Sequence, residues 1–141
     1  MPASPVLIDT SAWLLALRRD YLPIAKTRID ELLRENVVIT AGIVKLELLG
    51  GTRTEKEFQR LKRRLDALEI VETNETLWES ACHLAFSLRR KGITVPHTDI
   101  LIAACALSVG GVLLHADSHF DLMAPHIGLA VESFIDALVR S

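Results

Sequence analysis

Apolar residues follow two rhythms along this chain. Pro5-Val6-Leu7-Ile8, Val37-Val38-Ile39-Thr40, Val112-Leu113-Leu114-His115 and Gly128-Leu129-Ala130-Val131 are short, continuous apolar runs, each followed by residues that turn or cap. Such runs predict strands buried on both faces. Leu68-Glu69-Ile70-Val71 predicts another short strand or extended piece. Between them the spacing becomes helical. Thr10 and Ser11 offer N-caps to a helix ending at Leu17, and Pro23 suits the first turn of a second, running to about Glu35. A helix over Ala41 to Leu49 stops at Gly50-Gly51, and a highly charged one covers Thr54 to Leu65. Asn74 caps a long helix from Glu75 to Lys91, closed by Gly92. Thr98 or Asp99 starts another, which runs to Val109, and a last helix covers Ser133 to Val139.

Short buried strands alternating with amphipathic helices predict an α/β fold with a mostly parallel sheet. With 141 residues and no repeat, low-complexity tract or linker, residues 1–141 are expected to form a single domain. Half of the residues are apolar and 24% are charged, an ordinary balance for a globular chain. A net charge of −2 argues against a generally basic nucleic-acid coat, though not against a local basic patch. Cys82 and Cys105 lie in apolar helical contexts without metal-type spacing, so both are expected as buried, reduced thiols. No apolar run reaches the roughly 18–20 residues that span a bilayer, and no signal-like start is present. A cytoplasmic location without a membrane partner is the expectation.

Chemistry enters through four acids. Asp9, Glu47, Asp99 and Asp117 sit at the ends of predicted strands or on the helices that follow, each in strongly apolar sequence. A carboxylate beside a core bears a desolvation cost unless a positive group meets it, and no Lys or Arg adjoins all four. In open parallel sheets, sites form at the carboxyl ends of strands. Four acids converging there would repel one another unless they shared a cation. Oxygen ligands of this kind suit Mg²⁺ or Mn²⁺ better than Zn²⁺. Taken singly, Asp9, Asp99 and Asp117 are equally explained as helix caps. Glu47, mid-helix between Leu46 and Leu48, is harder to explain that way. Asp121 lies one turn past Asp117 and is either a further site acid or a solvated one. His115-Ala-Asp117-Ser-His119 superficially suggests zinc, but the second His pair of a metallo-lactamase-type site is missing.

The stretches VLIDTSAWLLAL, the helix carrying Glu47 before Leu48-Leu49, and DILIAACALSVGGVLLHADSHF together resemble the PIN-domain ribonucleases, most closely the VapC-type toxins of type II toxin–antitoxin systems. The resemblance covers essentially the whole chain. It implies a three-layer α/β/α sandwich and an Mg²⁺- or Mn²⁺-dependent endoribonuclease that hydrolyses RNA phosphodiester bonds with metal-activated water. Asp9, Asp99 and Asp117 match that family's metal-binding acids, with Glu47 a ligand directly or through water, and all four are candidate catalytic residues. Ser11 or Thr10 matches a hydroxyl that supports the site, and Phe120 matches the aromatic after the last acid. His115 departs from the Thr or Ser the family commonly carries there, which bears on how Asp117 is supported. The resemblance also implies a homodimer and a cognate VapB-type antitoxin, whose groove the apolar residues Trp13, Leu14, Leu17, Leu22 and Ile24 would line if they are not core.

The segment Arg53 to Arg64 carries six basic residues against two acids. Arg60, Arg63 and Arg64 are candidate RNA contacts beside an acidic site that repels RNA, or simply a solvated helix face. Trp13 and Trp78 read as core or interface rather than stacking platforms. The rival to an enzyme is a catalytically inactive PIN fold that binds RNA or protein, against which the complete set of four acids weighs.

Overall fold

The computed structural model describes residues 3–140. Five strands, β1 (Val6–Ile8), β2 (Val38–Ala41), β3 (Glu69–Val71), β4 (Val112–His115) and β5 (Ala130–Ser133), form one parallel sheet in the order β3-β2-β1-β4-β5. The register pairs Leu7 with Ile39 on one side and with Leu113 on the other, so β1 is central. Every residue of β1 is buried, and Leu7, Ile8, Leu113 and Leu114 are inaccessible to solvent. That is why these runs are continuously apolar rather than alternating.

The helices are α1 (Thr10–Leu17), α2 (Pro23–Arg34), α3 (Gly42–Gly50), α4 (Glu55–Asp66), α5 (Glu75–Arg90), α6 (His97–Ser108), α7 (Ser118–Ile127) and α8 (Ile135–Arg140). The chain leaves β1 in one direction across the sheet and β4 in the other. Right-handed crossovers therefore put α1–α4 on one face and α5–α7 on the opposite face, and α1 packs on α2 and α3, α5 on α6 and α7. The result is the expected α/β/α sandwich. Ile100 through Ala106 of α6 are all buried, so that helix is a core element with almost no polar side.

Several boundaries differ from the sequence reading, each for a local reason. Of the caps the sequence offers for α1, Asp9 rather than Thr10 or Ser11 is the one used: its carboxylate accepts the Ser11 N–H. Pro96 precedes α6, which places Asp99 inside the first turn rather than at the cap. The helix after Asp117 runs on through Pro125, because proline lacks only one ladder donor there; it ends at Gly128, whose φ of 67° is left-handed. The last strand consequently starts at Ala130 rather than Gly128. Cys105 is buried as expected, and burial pushes its thiol up to about 11. Cys82 is exposed on α5, contrary to the expectation. Trp13 is core, whereas Trp78 is exposed. Among the described residues no helix is long and apolar enough to cross a membrane.

Candidate metal centre

Parallel strands deliver their following residues to one edge. β1 ends at Ile8 and β4 at His115, paired neighbours, so Asp9 and Asp117 emerge side by side at the carboxyl edge. The hydrogen bond from Asp9 N–H to Leu114 O fixes that junction at 2.9 Å. Asp99 arrives from α6, whose first turn reaches the same edge. Three helices, α1, α6 and α7, therefore begin beside these acids, and their free amide ends partly offset the gathered negative charge.

That offset is incomplete. Asp9 and Asp99 are buried, and desolvation drives both carboxyls above the usual range. For Asp9 the hydrogen bonds from Ser11 oppose the shift, and the charge of Asp117 adds to it. For Asp99 a hydrogen bond from His119 opposes it, while Asp117 and Asp9 add to it. The three acids thus act on one another, with no Lys or Arg ion-paired to any of them among the described residues.

Hydroxyls and imidazoles hold the acids in place. Ser11 Oγ donates to Asp9 Oδ2 and accepts the Ala116 N–H at 2.9 Å, clamping the end of β1 to the end of β4. Thr10 Oγ1 donates to Glu47 Oε1 at 2.8 Å, which turns this exposed α3 carboxylate toward α1. His115 is fully buried, and its Nδ1 accepts the Asp117 N–H at 3.2 Å. The proton must then be on Nε2, which donates to Asp121 Oδ1 at 3.0 Å. An imidazole thereby does the supporting work expected of a hydroxyl at this position, and it tilts against Phe120 with ring centres 5.2 Å apart.

Not every candidate lands in the same place. Asp99, Asp117 and His119 offer ligand atoms within 4.8 Å of one another, and Asp9 adjoins them. Glu47 stands one hydrogen bond away through Thr10. Asp121 is turned aside to His115 and Ser133. Arg60, Arg63 and Arg64 are exposed on α4 and are in no ion pair among the described residues. Only Ala67 and Leu68 separate α4 from β3, so Arg63 and Arg64 lie toward the amino edge of the sheet, away from the acids. His119, which the sequence offers only within a superficially zinc-like stretch, joins the acids here. Its Nδ1 lies 2.9 Å from Asp99 Oδ2 and 3.1 Å from Asp117 Oδ1. The signal in the sequence was its place two residues after Asp117, which on a helix capped by Asp117 returns the side chain to the cap.

A cluster rich in carboxylate oxygens, partly desolvated and without Lys or Arg among the described residues, fits a hard divalent cation. The PIN domain family model matches residues 6–124. The chain is 32% identical over 121 residues to ribonuclease VapC21 of Mycobacterium tuberculosis, covering 84% of this chain and 85% of that protein. It is 31% identical over 133 residues to ribonuclease VapC11 of the same species, covering 92% and 98%. In structure it is similar to VapBC2 from Rickettsia felis, solved with a promoter DNA fragment, with a TM-score of 0.75 and 20% identity over 91% of this chain and 97% of that one. DNA-bound VapBC from Salmonella typhimurium matches with a TM-score of 0.75 and 19% identity over 94% and 99%.

Proposed function

Because the chain belongs to the PIN-domain family, we propose that it is a divalent-metal-dependent endoribonuclease, the toxin of a VapBC-type toxin–antitoxin pair. The observation that carries the reading is the union of Asp9, Asp99 and Asp117 at one sheet edge, with two of them desolvated and no Lys or Arg paired to any of the three among the described residues. Asp9, Asp99 and Asp117 hold Mg²⁺, or Mn²⁺ in its place, and Glu47 approaches from α3. When bound, the cation neutralises charge on the phosphoryl oxygens and lowers the pKa of a water. The chain's own part is positional: Ser11 fixes Asp9, His115 fixes the backbone of Asp117, and Thr10 aims Glu47 at the edge where it can accept a proton from the attacking water.

RNA strands that enter this acidic edge need compensating cations elsewhere. The exposed Arg60, Arg63 and Arg64 supply contacts to phosphates distant from the scissile bond. The toxin reading brings a homodimer, a cytoplasmic location and a VapB-type antitoxin. A groove lined by Leu22, Pro23, Ile24, Phe134 and Ala137 supports an apolar partner segment there, and Leu14 and Ile24 are exposed nearby. Trp13 and Leu17 belong instead to the core or pack against it.

The test is cleavage of single-stranded RNA by the purified chain. Mg²⁺ or Mn²⁺ should be required, EDTA should stop the reaction, and Asp99→Asn should lower the rate by about a hundredfold or more. Full activity in Asp99→Asn, or in EDTA, would overturn the assignment.

A further inference from the structure

We infer that His119 is itself a ligand of the metal, so that the centre is a mixed nitrogen–oxygen site preferring Mn²⁺ over Mg²⁺. The inference rests on the metal-centre reading above and sharpens it. Three observations lead to it. The Nδ1 atom of His119 lies 2.9 Å from Asp99 Oδ2 and 3.1 Å from Asp117 Oδ1. Two ligands at right angles around a cation with bonds of about 2.1 Å are separated by about 3.0 Å, so the imidazole already stands at ligand spacing from both acids. Second, the side chain is anchored for this position. Asp117 Oδ1 accepts the backbone N–H of His119 at 2.9 Å, which pins the first turn of α7 under the acid cluster. Third, the ring remains 42% exposed on its other side, leaving the cluster open to a cation and to substrate.

His119 Nδ1 is within hydrogen-bond distance of Asp99 Oδ2 and within ion-pair distance of Asp117 Oδ1. With the ring proton carried on Nε2, Nδ1 keeps a lone pair free for a cation held by Asp99 and Asp117. The imidazole then presents the Nδ1 lone pair from the same position, and no other group needs to move in. A nitrogen donor matters for metal choice. Mg²⁺ keeps to oxygen ligands, whereas Mn²⁺ accepts imidazole as well as carboxylate and binds more tightly in the general order of divalent affinities.

The full chain loaded with Mn²⁺ decides this by pulsed electron paramagnetic resonance and by titration calorimetry. Wild type should show ¹⁴N modulation from a directly bound imidazole, and His119→Ala should lose it. His119→Asp, which restores an all-oxygen set, should lower the ratio of Mg²⁺ to Mn²⁺ dissociation constants by about tenfold. Wild-type spectra without directly bound nitrogen, or an unchanged ratio in His119→Asp, would overturn the role of His119; the wild-type spectrum does not depend on any variant folding. Asp99→Asn separates the two levels of the argument. If it binds Mn²⁺ as wild type does, the metal centre itself is misplaced, and if it loses Mn²⁺ while wild type lacks nitrogen coupling, only His119 is.

Discussion

Two groups of carboxylates in this molecule sit in opposite electrostatic conditions. On the outer helices, Asp66 lies between Lys45 and Lys62, accepts from both, and is held below the usual carboxylate range by them. At the sheet edge, Asp9 and Asp99 are pushed above that range by burial, with hydroxyl, amide and imidazole partners but no lysine or arginine. The first group is locally complete. The second is folded at a cost, and that cost marks it as a place waiting for positive charge. Charge count alone does not separate the two; the direction of the pKa displacement does.

The largest effect should come from removing a charge at the edge. Asp9→Asn keeps an oxygen for the Ser11 bonds but removes the buried negative charge. RNA cleavage should fall by about a hundredfold or more, while the metal-free protein should become more stable by roughly 1 kcal/mol at neutral pH. The sign follows from linkage. The folded pKa of Asp9 is raised above 3.8, so ionising this group costs stability, and the cost grows as pH rises from the unfolded value through the folded one. The gain in Asp9→Asn should therefore be near zero at low pH and reach its full size only above the raised pKa. Denaturant titrations of the metal-free proteins across this pH range measure it; a loss of stability at neutral pH would contradict the desolvation argument.

A smaller effect should follow from breaking the clamp rather than the charge. Ser11→Ala removes the donor to Asp9 and leaves the Ala116 N–H without its acceptor. An unsatisfied buried amide costs about 1–3 kcal/mol, and this part-buried one should sit at the lower end of that range by chemical denaturation. Cleavage should drop by about tenfold, since the acid survives but is less well held. Unchanged metal affinity and stability in this variant would mean that the hydroxyl is incidental.

Much of this edge was legible in the sequence because burial and position share a cause. A strand buried on both faces must be apolar throughout, so Val6-Leu7-Ile8 and Val112-Leu113-Leu114 declared themselves, and the acid just past the end of each strand, Asp9 after Ile8 and Asp117 two residues after His115, had to emerge at the same edge of a parallel sheet. What the sequence hid was directional. Whether Asp9 or Thr10 caps α1 depends on backbone angles, and that choice frees the two hydroxyls for Glu47 and Ala116. The value of His119 likewise depends on how α7 leaves its cap. His115 looked like an irregularity because a ring and a hydroxyl have nothing in common as letters, although each can accept the same N–H. Pro125 lies inside α7, because proline fits helical φ and forfeits only one bond, and the stop comes at Gly128. Asp66 reversed the lesson: a charged helix read as a possible RNA face contains an acid fully occupied by two lysines.

The smallest effect belongs to that last acid, and it completes the comparison. Asp66→Asn removes a charge whose folded pKa lies below 3.8, so its contribution is present above the unfolded value and fades as pH falls through the folded one, the reverse of Asp9. The group is solvent-exposed and its partners are flexible lysines, so water and salt screen most of the attraction. The melting temperature should drop by no more than about 2 °C, and the drop should shrink further in high salt. Cleavage and metal affinity should stay at wild-type levels, because neither Asp66 nor its two lysines is among the groups that act on Asp9 or Asp99. Melting curves at low and high salt, paired with the cleavage assay, give the contrast directly. A hundredfold loss of activity here would show that the two carboxylate groups are coupled, and the distinction between a neutralised acid and a waiting one would no longer separate structure from function in this fold.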